Sequence, residues 1–242
     1  MKLRLRYAKL GKIRFTGHRD TARLWERATR IAAVPVATST GFTPRPRLSF
    51  GLALPTGGES VAEYIDIELA EPLTGDDVDP LLLRASDALP VGFTVLAGEI
   101  SDMKRGSLQE TVCAVTWELT APDGTDVQAV AERLLGAETL PLERVRKGAT
   151  STDDVRPQIR SLRADDGALV AELTTNGRGI RPAELSALAF PGAEPLGIRA
   201  LRTHQWIDHD GQCREVMPLD DDVRLASLGT GIVVVPAGTV GA

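Results

Sequence analysis

His18 lies in the stretch RFTGHRDTARLWERATR (residues 14–30), flanked by Arg14 and Arg19, with Arg23, Arg27 and Arg30 following at intervals of four, four and three. A helix that starts at Gly17 or Thr16 leaves backbone N–H groups free beside His18 and Arg19. The arginine spacing sets the guanidinium groups along one helix face. Forked, charged donors on such a face suit phosphate oxygens. Histidine can act as a general base or acid near neutral pH, which makes His18 the catalytic candidate of this sequence. A solvated face is the commoner outcome of a charge run, but it normally mixes signs, and here Asp20 and Glu26 are the acids that interrupt.

The second unusual stretch is STGFTPRPRLSFG (39–51). Pro44 and Pro46 hold the backbone extended, so Arg45 and Arg47 project to one side. Phe42 offers a ring for stacking, Gly41 permits close backbone approach, and Ser49 adds a hydroxyl. Basic and aromatic groups interleaved on a loop suit single-stranded nucleic acid. The expected anion- or RNA-binding set is therefore Arg14, Gly17, His18, Arg19, Arg23, Arg27, Gly41, Phe42, Arg45, Arg47 and Ser49.

These residues need elements to hold them. KLRLRYAK alternates Leu3, Leu5 and Tyr7 against Arg4 and Arg6, which predicts a strand. DTARLWERATRIAA carries the apolar stripe of a helix at Thr21, Leu24, Trp25, Ala28 and Ile31. RPRLSFGLAL and AEYIDIELAE predict a strand pair around PTGGES. GDDVDPLLLRASDAL predicts a helix with acids in its first turn, and VGFTVLAGEI a further strand. The order β-α-β-β-α-β is that of a ferredoxin-like unit. After SDMKRGS (101–107), which reads as a linker, a similar order returns with an extra strand. The expected fold is thus α+β, two ferredoxin-like (βαββαβ) units in tandem, with antiparallel sheets and helices on one face. The expected domains are residues 1–100, residues 108–207, and an acidic, glycine-containing tail, 208–242.

Charge is distributed unevenly. The first fifty residues carry twelve Lys and Arg against two acids; the remaining chain carries sixteen against thirty-one. Such asymmetry points to an anionic partner for the basic part, while the acidic remainder disfavours indiscriminate coating of nucleic acid. Cys113 and Cys213 are far apart and read as two reduced thiols. Two cysteines and three histidines do not supply a zinc or iron–sulfur cluster, and no metal or cofactor is expected. No apolar run approaches the roughly 20 residues of a membrane span. The N-terminus lacks the apolar core of a secretory signal, so a cytoplasmic location and no membrane partner are expected. His-Arg-Asp at 18–20 matches the start of a kinase catalytic loop, but Trp25 stands where that loop needs Asn.

Phe15, Gly17, His18, Asp20, Trp25 and Arg27, then Gly41, Phe42, Pro44, Pro46, Arg47, Ser49, Phe50, Leu54, Pro55 and Gly57, form a dense pattern. It resembles a bacterial radical-SAM-associated (radical-SAM-linked) protein family, domain of unknown function 2344. The resemblance spans roughly residues 3 to 207, and Thr43 replaces a frequent Asn. It implies a protein of unestablished activity, fused to or encoded beside a cobalamin-binding radical-SAM protein. In actinobacteria such proteins tend to lie near ribonuclease E/G-type and ribosomal-protein genes, and the Ala/Arg/Gly/Pro usage here fits an actinobacterial source. With two cysteines the chain lacks the three-cysteine motif of the radical-SAM enzyme itself. The expected function is a non-catalytic accessory protein that binds RNA or another phosphate-bearing ligand through its basic N-terminal surface. The alternatives are a metal-independent RNA-processing or RNA-modifying enzyme using His18, and a structural protein–protein adaptor.

Overall fold

Alternation in the first strand is real, but neither of its faces is left to solvent. In a computed structural model, which describes residues 1–101, 107–146, 148–194, 197–209 and 211–219, Lys2–Lys9 form strand β1. Leu3, Leu5 and Tyr7 enter an apolar core. Arg4 and Arg6 point the other way and are equally buried. The protein is a mixed α+β molecule of mostly antiparallel strands, and it divides into two compact units. One comprises Met1–Thr111 with the described residues from Glu215 on, the other Val112–Arg214.

The first unit runs β1, α1 (His18–Ile31), β2 (Leu48–Phe50), β3 (Glu59–Glu68), α2 (Gly75–Ala88), β4 (Phe93–Ser101) and the short α3 (Leu108–Thr111). Its strands lie in the order β4-β1-β3-β2, each pair antiparallel. The register sets Leu3 opposite Ile67 and Leu5 opposite Ile65. This apolar row packs with Trp25 and Ala28 of α1 and Leu81, Leu82 and Ala85 of α2. Gly98 on β4 makes the fit feasible, because a Cβ there would sit 2.6 Å from Leu82 Cδ2. Arg84 of α2 donates to the Ala32 carbonyl at the end of α1 (3.1 Å), supplying a partner that a helix C-terminus lacks. At the start of α2, Asp77 accepts from both the hydroxyl and the backbone N–H of Thr74; these bonds hold its carboxyl below the usual range.

On the opposite sheet face, Arg4 lies directly across from Asp66 and grips it with two hydrogen bonds of 2.7 and 2.9 Å. Arg6 donates to Val61 O (2.9 Å), to Glu215 Oε1 (2.7 Å) and to Met217 O, and lies 5.8 Å from the centre of the Tyr64 ring. Burial pushes the Tyr64 phenol up to about 12 against the opposing pull of Arg6. Residues 208–242, expected as a tail, include a strand and the buried Val216 and Met217; residues 210 and 220–242 lie outside the described residues, as do 102–106 of the expected linker.

The second unit runs β5 (Val112–Thr120), α4 (Val127–Gly136), β6 (Pro141–Arg146), β7 (Ala149–Asp154), β8 (Ile159–Asp165), β9 (Ala168–Thr174), α5 (Pro182–Ala189) and β10 (Ala200–His209), and β11 (Gln212–Glu215) pairs with β10. Its sheet has the order β10-β5-β9-β8, again antiparallel. Where one extra strand was expected in this half, there are two, β6 and β7, paired as a separate antiparallel ribbon, besides β11. Arg144 fastens that ribbon: it binds both carboxylate oxygens of Glu184 (2.9 and 2.8 Å), Asp153 (3.2 Å) and the Gly179 carbonyl (2.9 Å). Burial works to raise the Glu184 pKa, but Arg144 and the Arg181 backbone N–H outweigh it and hold the carboxyl below its ordinary 4.5.

Two measurements check these contacts. Asp66→Ala strands a buried guanidinium and should cost about 3–5 kcal/mol in urea unfolding, whereas Arg4→Met with Asp66→Leu should recover most of that loss. Because the folded-state pKa of Glu184 is depressed, its contribution to stability is complete above the ordinary value and declines as pH falls below it. Acid titration of stability in Glu184→Gln should therefore be flatter than in wild type below about pH 4.5.

Candidate nucleic-acid interface and the cleft at His18

The first turn of α1 opens without a side-chain cap: its N-cap residue, Gly17, is in an extended conformation and has no side chain to meet the free N–H groups. The helix is anchored from beneath. Thr21, Trp25, Ala28 and Thr29 are buried, and Trp25 meets the Tyr7 ring edge-on at 4.9 Å. With that stripe fixed, the 3.6-residue period turns Arg19, Arg23, Arg27 and Arg30 outward, and all four are exposed.

Partners divide the arginines. Arg23 reaches Asp20 at 3.3 Å with both side chains largely in water, an exposed pair that contributes little. Arg47 binds both Glu68 oxygens at 3.1 Å. Arg14 is half-buried, 3.5 Å from Glu59 and stacked 4.8 Å from the centre of the Phe15 ring. Among the described residues Arg19, Arg27, Arg30 and Arg45 pair with no carboxylate. Arg4, Arg6 and Lys9, counted in the basic charge of the first fifty residues, are buried and add nothing to the surface.

Arg23, Arg27 and Arg30 line a groove of about 430 Å³ whose far wall includes Val36, Thr38 and Pro46, with Glu26 its acidic member. That wall is the base of a narrow finger. Thr38 bridges to Pro46, Arg47 N–H donates to Ala37 O, and Ser39 N–H donates to Arg45 O. At its tip Gly41 holds φ +141°, a conformation side chains rarely adopt, and Phe42 is fully exposed. Ser49 is exposed on β2, opposite Asp66. The structure thus brings Arg23, Arg27 and Arg30 to one groove and Phe42 and Arg45 to the adjoining finger. Ser49 does not line that groove.

His18 belongs to a different place. It is exposed at the first position of α1, its ring edge-on to Phe50 at 5.2 Å. It lines a cleft with Tyr7, Lys9, Thr21, Glu63 and the Phe50–Leu54 segment. About 20 Å³ of that cleft admits the centre of a water molecule, roughly the space one water needs. Lys9 is buried and donates from Nζ to the Thr16 carbonyl at 2.6 Å, just before the helix cap. Thr21 Oγ1 is buried without a hydrogen-bond partner among the described residues. Lys9 and Glu63 are absent from the expected site set. Their signal was parity: Lys9 shares the strand face of Leu3, Leu5 and Tyr7, and Glu63 that of Ile65 and Ile67, so each is a charged residue on an inward face. Among the described residues no group of three or more potential metal ligands occurs, and no helix is long and apolar enough to cross a membrane.

A family model described as "uncharacterized protein conserved in bacteria (DUF2344)" matches residues 2–182. The chain belongs to that family. The match includes α1, the finger, the His18 cleft and much of the second unit. No curated protein matches the chain.

Lys9→Met keeps the length of the side chain but leaves the Thr16 carbonyl without this donor. We expect a loss of about 1–3 kcal/mol in urea unfolding, read from the fluorescence of the protein, with Lys9→Arg retaining part of the stability.

Proposed function

We propose that the protein is an accessory binding module that holds RNA, or another phosphate-bearing ligand, on the basic side of its first unit. The observation that supports this reading is the groove of Arg23, Arg27 and Arg30 beside a finger that presents Arg45 and a fully exposed Phe42. Arg27, Arg30 and Arg45, without carboxylate partners among the described residues, and Arg23, whose exposed pair with Asp20 contributes little, are ready to meet phosphate, and an aromatic ring left in water gains by stacking on a base, by about 1–3 kcal/mol. The two strand orders, β4-β1-β3-β2 and β10-β5-β9-β8, agree with reading each unit as ferredoxin-like, a fold often used on RNA, though fold alone assigns no function. In this proposal the module works in the cytoplasm of an actinobacterium and serves a cobalamin-binding radical-SAM protein, presenting the substrate on which that partner acts.

A second reading has its own observation in its favour. His18 shares a cleft with Lys9 and Glu63, which suits an RNA-processing or RNA-modifying enzyme working without metal. It requires RNA turnover that His18→Ala abolishes.

Binding of a fluorescent single-stranded RNA, measured against salt, tests the main reading. Removing three phosphate contacts with Arg23→Ala, Arg27→Ala and Arg30→Ala should lower the log–log salt slope by about 2, at roughly 0.7 per contact. Phe42→Ala should weaken binding by about 5- to 100-fold with the slope unchanged. Absence of binding at low salt, or binding indifferent to all four changes, removes the proposal. A complex with the radical-SAM partner that persists after nuclease treatment, from a protein that binds no RNA, would establish the adaptor alternative instead.

A further inference from the structure

Cys113 and Cys213 are 100 positions apart in the chain, yet their Sγ atoms lie 3.6 Å from each other. Both are free thiols of the second unit, Cys113 on β5 and Cys213 on β11. Their surroundings differ. Cys113 is half-buried and donates its S–H to the Trp206 carbonyl at 3.4 Å. Cys213 is exposed, and Arg160 donates from Nη1 to its sulfur at 3.3 Å. Arg160 is held in that position by Glu172 at 3.0 Å. The thiolate is the reactive form of a cysteine, and the accessible sulfur here is the one that the Arg160 guanidinium touches. Burial and the neighbouring sulfur push the Cys113 thiol up. One sulfur is therefore accessible and beside a fixed cation, and the second stands behind it with its proton retained.

We propose that Cys113 and Cys213 form a reversible dithiol–disulfide site that reacts with hydroperoxides. The Cys213 thiolate attacks one peroxide oxygen. An S–O bond forms, the O–O bond breaks, and the departing oxygen leaves as water or alcohol after taking a proton. Sulfur is oxidised and the peroxide reduced by two electrons. Cys113 then gives its proton to solvent and attacks the Cys213 sulfenic sulfur. The S–S bond forms, the S–O bond breaks, and hydroxide leaves as water. The product joins the first strand of the unit to the strand after β10 and closes the intervening chain into one covalent loop. Two thiol equivalents from a small-molecule dithiol reverse it. Arg160 acts as a positioning residue, holding the Cys213 sulfur through its Nη1–H donor.

The test uses the full chain, reduced, freed of reductant and treated with stoichiometric hydrogen peroxide. Wild type should lose both free thiols and two hydrogen masses, yield a linked peptide pair containing Cys113 and Cys213, show no covalent dimer, and regain both thiols with dithiothreitol. Cys113→Ser should instead accumulate a sulfenic acid on Cys213 that dimedone traps. Cys213→Ser should keep its remaining thiol. Arg160→Met, which removes the donor held at the Cys213 sulfur, should slow thiol loss relative to wild type. The proposal is overturned if wild type keeps both thiols under conditions that oxidise a cysteine peptide, if the disulfide joins two copies, or if Cys213→Ser loses its thiol as fast as wild type. The wild-type mass and peptide map decide the matter even where a variant fails to fold.

Discussion

Two guanidinium groups taken out of water govern the first unit. Desolvating an ion costs several kcal/mol, and removing one partner of a buried pair leaves that cost uncompensated. Arg4 and Arg6 are both almost solvent-free, so each must find acceptors wherever the chain can bring them. Arg4 takes a carboxylate 62 positions on, Arg6 one 209 positions on together with two backbone carbonyls. Glu215 and Met217 consequently belong to the unit that begins with residue 1. A sheet whose second face is polar but dry is sensitive to any change in that set, in a way that its apolar face, packed by interchangeable side chains, is not.

The same requirement sorts the remaining arginines. Those on inward strand positions are matched by acids and carbonyls. Those on α1 stay in water, where an unpaired guanidinium costs little, and they remain available to an external anion. The sorting is done by Trp25 and the buried stripe of α1, which fix the rotation of the helix about its axis and so decide which residues face out. Net charge counts both groups alike, although they differ in what they can do.

Much of the fold was legible because hydrophobic period is a local signal. Leu3, Leu5 and Tyr7 mark a strand, Trp25 and Ala28 a helix, and the order of elements follows along both units. The β6–β7 ribbon was harder to place: β7 is exposed and polar, so the two-residue period carried no sign that the two strands pair with each other, and the anchor, Arg144, reaches Glu184 across 40 positions of chain. At the site, the exposure of Arg23, Arg27 and Phe42 follows from spacing and turn chemistry. The burial of Lys9 was also there to be read in strand parity. That His18 stands in a cleft apart from the groove was not, because the rim of the cleft is completed by the Phe50–Leu54 segment, where the sequence predicts a strand through Leu54 but β2 ends at Phe50.

Residue spacing by itself determined most of the helices and strands, and which arginines share a helix face, since these depend on geometry repeated every two or 3.6 residues. Only the tertiary structure decided that Arg4 and Arg6 would be consumed inside the sheet, that His18 would share a cleft with Glu63, and that Cys113 would stop 3.6 Å from Cys213. Those are pairings between distant parts of the chain. They are settled by register, crossing connections and the demand of buried charges for partners, and no short window of sequence contains both members.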